Sequence, residues 1–240
     1  MSKGIRVFLL LLLSTVCTTY AGPSLMARLY CSILGDKDAR PEYRQIVYQA
    51  LQSLGVEEPA NVPVKQMNAI GPAFARVPLS TFTAFGIWLD EPYLNTCSQE
   101  EQLFHLYHEA AHYALNHHQK LLVGCGVAAV FMTVVFLKAE SILGDICPLV
   151  KNTAAAGAGI LIALGCYRYV LPQVVKRQEK QADLLAARTL KVLGRQDIVV
   201  AHVENLKKAS DGDDGALWWF SNHEQAEYLE SVLAETETLS

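Results

Sequence analysis

The sequence predicts an α+β fold, mostly helical, with a small antiparallel sheet, interrupted by a hydrophobic helical hairpin. Three observations lead there. Several segments carry apolar residues at helical spacing between start and stop signals. Residues 62–93 are instead rich in β-branched and aromatic types punctuated by turn-forming dipeptides. Two apolar runs with almost no charge lie between residues 121 and 171.

Composition sets the frame. The chain has 240 residues, 51% of them hydrophobic and only 18% charged, and its mean hydropathy is positive. The net charge of -4 and the lack of a basic block give no face for nucleic acid. The six cysteines, Cys17, Cys31, Cys97, Cys125, Cys147 and Cys166, include no C-x-x-C pair, which excludes a cysteine zinc ribbon. Cys31 and Cys97 can pair in an oxidising compartment or stand as two free thiols. Nothing in the sequence specifies an oligomeric state.

Residues 1–21 read as a signal peptide or N-terminal anchor. Lys3 and Arg6 precede a short apolar run, Val7 to Val16, and Thr19-Tyr20-Ala21 is a small-residue cleavage site. A helix is expected over 41–54. Pro41 suits its first turn, Tyr43, Ile46, Val47, Ala50, Leu51 and Leu54 form one apolar stripe, and Gly55 is a stop. Between residues 62 and 93 the sequence predicts an antiparallel sheet of two to four strands. Its edge should lie just before the next helix, where an extended peptide could add as a strand.

Ser98-Gln99-Glu100-Glu101 is a capping box and opens a helix expected to run to about residue 118. That helix carries His108-Glu109-Ala110-Ala111-His112, an H-E-x-x-H motif. Residues i and i+4 share a helix face, so the two imidazoles can meet one metal ion, with Glu109 beside them to accept a proton from water. This is the arrangement of a zinc hydrolase, and it predicts a zincin-type catalytic domain.

Leu121 to Leu137 is a run of 17 residues without a charge, and Ala154 to Leu171 is apolar again, broken only by Arg168. With Gly and Ala in both, they read as a transmembrane hairpin, near the lower limit of about 17–25 residues per span. A hairpin returns the chain to the side it left. Pro172 and Gly194 bracket a helix in which Glu179 and Asp183 share a face. Glu179 is suited to be a third zinc ligand, and Asp183 to orient a ligating imidazole. Residues 195–210 form another short helix. Asp211 to Gly215 is a turn; counted as a calcium loop it places Asn222 where a Glu is needed. Leu217-Trp218-Trp219-Phe220 is core or a membrane-interface anchor. Ser221-Asn222-His223-Glu224 is a second capping box, opening a final helix to about Ala234.

H-E-x-x-H followed by a hydrophobic hairpin and then Glu179-Lys180-Gln181-Ala182-Asp183 resembles the HtpX-like membrane metallopeptidases, grouped with the CAAX prenyl proteases as metallopeptidase family 48. The resemblance implies a gluzincin in which His108, His112 and Glu179 hold one zinc ion. Glu109 is then the general base and Asp183 the supporting carboxylate. Asn68-Ala69 resembles the motif before that family's edge strand. Ser221 to Glu224 partly matches a later motif, lacking its Thr and Pro, which makes Asn68 and His223 candidate contacts to substrate or transition state. The expected organisation is 22–120 as the first half of the peptidase domain, 121–171 as the hairpin and 172–240 as the second half. The expected partners are a polypeptide substrate and the lipid bilayer, with no nucleic acid. The alternative is a catalytically inactive, membrane-embedded pseudoprotease or assembly factor that keeps the metal-binding fold. An N-terminal signal places the catalytic side outside the cytoplasm, whereas Lys120, Lys176, Arg177 and Lys180 beside the hairpin favour the opposite.

Overall fold

The structure, a computed structural model, describes residues 35–67, 81–83, 86–117, 120, 171–210 and 221–235. The segment 1–21, Asn68-Ala69, the apolar runs from Leu121 to Val170, the Asp211 turn and the Trp218 cluster lie outside the described residues. The chain forms two compact units, 1–26 with 119–174, and 27–118 with 175–240. Almost all described residues belong to the second. Among the described residues, no helix is long and apolar enough to cross a membrane.

Helix α1, Pro41–Ser53, has Pro at its start and buries Tyr43, Val47, Ala50 and Leu51, the stripe read from the sequence. Gly55 then takes φ 77° and turns the chain away. Strands β1 (Val64–Gln66), β2 (Thr81–Thr83) and β3 (Gly86–Leu89) follow. Their sheet has the order β1-β3-β2. β1 runs parallel to β3, with Val64 opposite Ile87; β2 runs antiparallel to β3, with Phe82 opposite Ile87.

The sheet is therefore mixed, not antiparallel throughout, and the strand nearest the H-E-x-x-H helix in sequence is central, not an edge. Strand composition reports a pleated, half-buried surface and says nothing of direction. Here the stretch 81–89 divides into two antiparallel strands, and its second half seats against β1. Gly86 permits this seating. A Cβ at that position would lie 2.6 Å from the Pro63 carbonyl oxygen, beside the hydrogen bond from Ile87 N to the same oxygen.

A short helix α2 (Glu91–Leu94) is capped by Asp90, which accepts a bond from Tyr93 N. Helix α3, Gln99–Ala114, starts where the capping box places it, with Ser98 Oγ accepting from Glu101 N at 3.2 Å. It ends about a turn short of the expected residue 118. Leu115 caps it, and Asn116 adopts φ 55°, a left-handed conformation that Asn tolerates better than most residues. That turn sends His117 back toward the helix.

Helices α4 (Leu171–Val192), α5 (Gln196–Ser210) and α6 (Asn222–Glu235) complete the order. Ser221 Oγ accepts from Glu224 N at 3.1 Å, the second expected cap. Helix α3 packs on α1, α5, β2 and β3, and α5 packs on α6. The core joins Val47, Leu51, Ile87, Leu89, Phe104 and Leu106 to Ala186, Leu190, Ile198 and Leu229.

Candidate metal centre

Two helices build the site. Helix α3 buries His108, Glu109 and His112 on its inward face, and α4 brings Glu179 and Asp183 to meet them. Ala182 and Ala186 on α4 are fully buried.

The donor atoms converge. His108 Nε2 lies 2.9 Å from His112 Nε2, and Glu179 Oε2 lies 3.2 Å from the first and 3.4 Å from the second. Tetrahedral zinc with bonds of about 2.0–2.2 Å holds its ligand atoms roughly 3.3–3.6 Å apart. The observed triangle is close to that size and uses the N/O donors that zinc takes. Glu109 is buried beside it, and among the described residues its Oε2 has no hydrogen-bond partner. A buried carboxylate oxygen left unpaired is costly unless a water or substrate group meets it. The residues therefore fit a zinc ion with an adjacent base.

Behind the triangle, His108 Nδ1 donates to Asp183 Oδ1 at 2.7 Å. Asp183 is fully buried, and its other oxygen accepts from Gln225 Nε2 of α6 at 2.9 Å. The second imidazole has a different support. His112 Nδ1 is 2.9 Å from His117 Nδ1, His117 Nε2 is 3.2 Å from Gln181 Oε1, and Gln178 Nε2 donates to the His117 carbonyl.

Electrostatics separate these groups. Burial pushes the Glu109 carboxyl up to about 8; His108 opposes the shift and Glu179 adds to it. Burial also works to raise Glu179, yet the His108 and His112 imidazoles at 3.2 and 3.4 Å hold it well below the usual carboxylate range. Burial disfavours a charged His108, but the Asp183 charge and hydrogen bond, helped by Glu179, raise it well above the ordinary histidine value. His112 is lowered by burial and by the neighbouring His108. The Glu179 and Asp183 carboxylates thus draw positive charge to one point in a buried pocket, where a cation is favoured.

The structure brings together His108, His112, Glu179, Glu109 and Asp183. His223 lies elsewhere in contact terms. It is exposed on the first turn of α6 and pairs with Glu227 at 3.2 Å. Asn68 lies outside the described residues. Cys97 is a free thiol. His117, Gln178, Gln181 and Gln225 were not singled out from sequence. His117 stands five residues past His112, off any shared helical face, and only the Asn116 turn returns it. Gln225 offers no local signal, since its partner is 42 residues away.

The family model for peptidase family M48 matches residues 40–225, a span that contains every residue of the site. Neither the curated proteins nor the solved structures give a match. Most of the sequence, including both halves of the metal centre, lies within the family match, and the chain belongs to peptidase family M48, whose members are zinc-dependent proteases.

Proposed function

We propose that this protease is a membrane-associated zinc endopeptidase that cleaves its polypeptide substrate with an activated water. The observation that carries the reading is the triangle of His108 Nε2, His112 Nε2 and Glu179 Oε2, beside which Glu109 Oε2 has no hydrogen-bond partner among the described residues. His108, His112 and Glu179 would hold the ion. When bound, zinc supplies Lewis-acid chemistry, lowering the pKa of a water and polarising a carbonyl. Glu109 takes the proton of the attacking water and passes it to the leaving amine. Its burial keeps the carboxylate out of bulk solvent, so the proton it takes stays near the scissile bond. Asp183 holds the His108 ring with Nδ1 protonated, leaving Nε2 as the electron-pair donor.

Strand β2 is an edge of the sheet among the described residues and packs on α3. An extended substrate adding there would lie along the helix that carries the site. His223 would reach substrate only after leaving Glu227, and Asn68 follows β1 closely in sequence. Residues 121–171 supply the membrane hairpin of this reading, and the N-terminal segment favours an extracytoplasmic catalytic side. A phosphatase fused at the C-terminus would then be active; an inactive, stable fusion would place that end in the cytoplasm.

The decisive variant is Glu109→Gln. It should lose peptidase activity by at least about a hundredfold, the scale of general acid–base catalysis, while binding zinc with the stoichiometry of the wild type. Retained activity would remove Glu109 as the base. A wild type that binds zinc but cleaves no peptide would instead favour the inactive, metal-binding alternative.

A further inference from the structure

We infer that His117 is a positioning residue for the metal centre: it accepts the Nδ1 proton of His112, and Gln181 sets its tautomer so that it can. The inference rests on the zinc reading of His108, His112 and Glu179. It assigns a role to a histidine that the H-E-x-x-H motif does not contain.

The argument follows the protons. A neutral imidazole has one N–H and one electron pair, so the bond at one nitrogen decides the other. Gln181 presents its side-chain oxygen to His117 Nε2 at 3.2 Å. An oxygen there can only accept, so His117 carries its proton on Nε2 and an electron pair on Nδ1. That pair faces His112 Nδ1 at 2.9 Å, so His112 donates from Nδ1. His112 Nε2 is then left as an electron pair, 2.9 Å from His108 Nε2 and 3.4 Å from Glu179 Oε2, where a cation is to be held. The opposite polarity would place a hydrogen on His112 Nε2, inside the triangle, and block coordination.

The same outcome is reached at His108 by another route, through the Asp183 carboxylate. One ligating imidazole is thus backed by a charge and the other by a neutral imidazole. A second carboxylate behind His112 would add negative charge to a pocket that already holds Glu109, Glu179 and Asp183.

His117 is built into its place rather than resting there. It is fully buried. The left-handed Asn116 reverses the chain before it, and Gln178 Nε2 holds its carbonyl at 3.2 Å. Gln178, Glu179 and Gln181 come from a single turn of α4. The turn that supplies the third metal donor also fixes the tautomer of the second imidazole.

The test reads protons and zinc, not turnover. In the metal-free full chain, 15N NMR of the imidazoles should show His112 protonated at Nδ1 and His117 at Nε2, and zinc should leave both unchanged. Chelator competition should show His117→Phe weakening zinc binding about 10–100-fold, the usual range for loss of a hydrogen-bond partner behind a ligand. His117→Gln, whose side-chain oxygen can accept from His112, should recover most of the loss. Gln181→Leu, which removes the acceptor without adding charge, should weaken zinc binding in the same direction as His117→Phe. His117 protonated at Nδ1 in the wild type would overturn the inference even if zinc binds. So would unchanged zinc affinity in either His117→Phe or Gln181→Leu. A wild type that binds no zinc would overturn the reading of the site itself, a failure visible separately from the tautomer measurement.

Discussion

Each of the two imidazoles at this centre is defined by what stands behind it. At His108 that group is Asp183, wholly buried and held on its other oxygen by Gln225. Removing the carboxylate leaves the His108 N–H without its partner and frees the ring to turn. Asp183→Ala should therefore weaken zinc binding by about 10–100-fold, measured by chelator competition, with a parallel loss of activity at limiting zinc. Gln225→Leu should cost less, because it removes a neutral bond to Asp183 rather than a ligand's own partner. Equal zinc affinity in Asp183→Ala and wild type would show that His108 needs no support.

At the scale of elements, the site depends on where helices stop and how closely strands and helices approach. Helix α3 starts at a cap legible in the sequence, Ser98, and ends at Ala114, just before Asn116, whose left-handed conformation no apolar periodicity reveals. Gly86 does similar work in the sheet. A side chain there meets the Pro63 carbonyl oxygen at 2.6 Å, and backbone yields poorly to such a contact. Gly86→Ala should separate β1 from β3 and cost about 1–3 kcal/mol, the scale of a strained backbone position. Denaturant unfolding checks this, and a loss below about 0.5 kcal/mol would mean that the β1–β3 pairing adjusts freely. Because α3 packs on β3, zinc affinity should fall with stability.

The whole molecule carries a pH dependence that the metal does not create. His202 of α5 is buried against Phe104, the rings stacked at 3.9 Å, with His105 edge-on to it at 5.6 Å. Among the described residues, neither His202 nitrogen has a hydrogen-bond partner. Burial, with His105 and His108 nearby, holds its pKa well below the ordinary 6.5. The unfolded chain therefore binds this proton first. The contribution is fully favourable above about 6.5 and is lost as pH falls below it, at about 1.4 kcal/mol per unit until the folded imidazole itself titrates. Replacing it by an apolar ring removes the difference. His202→Phe should flatten the fall in stability between about pH 7 and pH 5, read as the midpoint of urea unfolding at each pH. Parallel curves for the variant and wild type would exclude His202 as the source.

What the sequence determined by itself is what local spacing encodes. His108 and His112 share a face because they are four apart, Glu179 and Asp183 do likewise, and Ser98 and Ser221 mark helix starts through bonds three residues long. The pairing of those two faces was legible only through resemblance to a family, since no local pattern says which helix meets which. The tertiary structure decided the rest. It ran β1 parallel to β3, returned His117 to His112, and brought Gln181 to His117 across 64 residues and Gln225 to Asp183 across 42. Helical periodicity and capping are short-range geometry, written in the residues that obey them. Strand order and the partners of buried side chains follow from packing between distant segments, as Gln225 of α6 meets the buried Asp183 of α4.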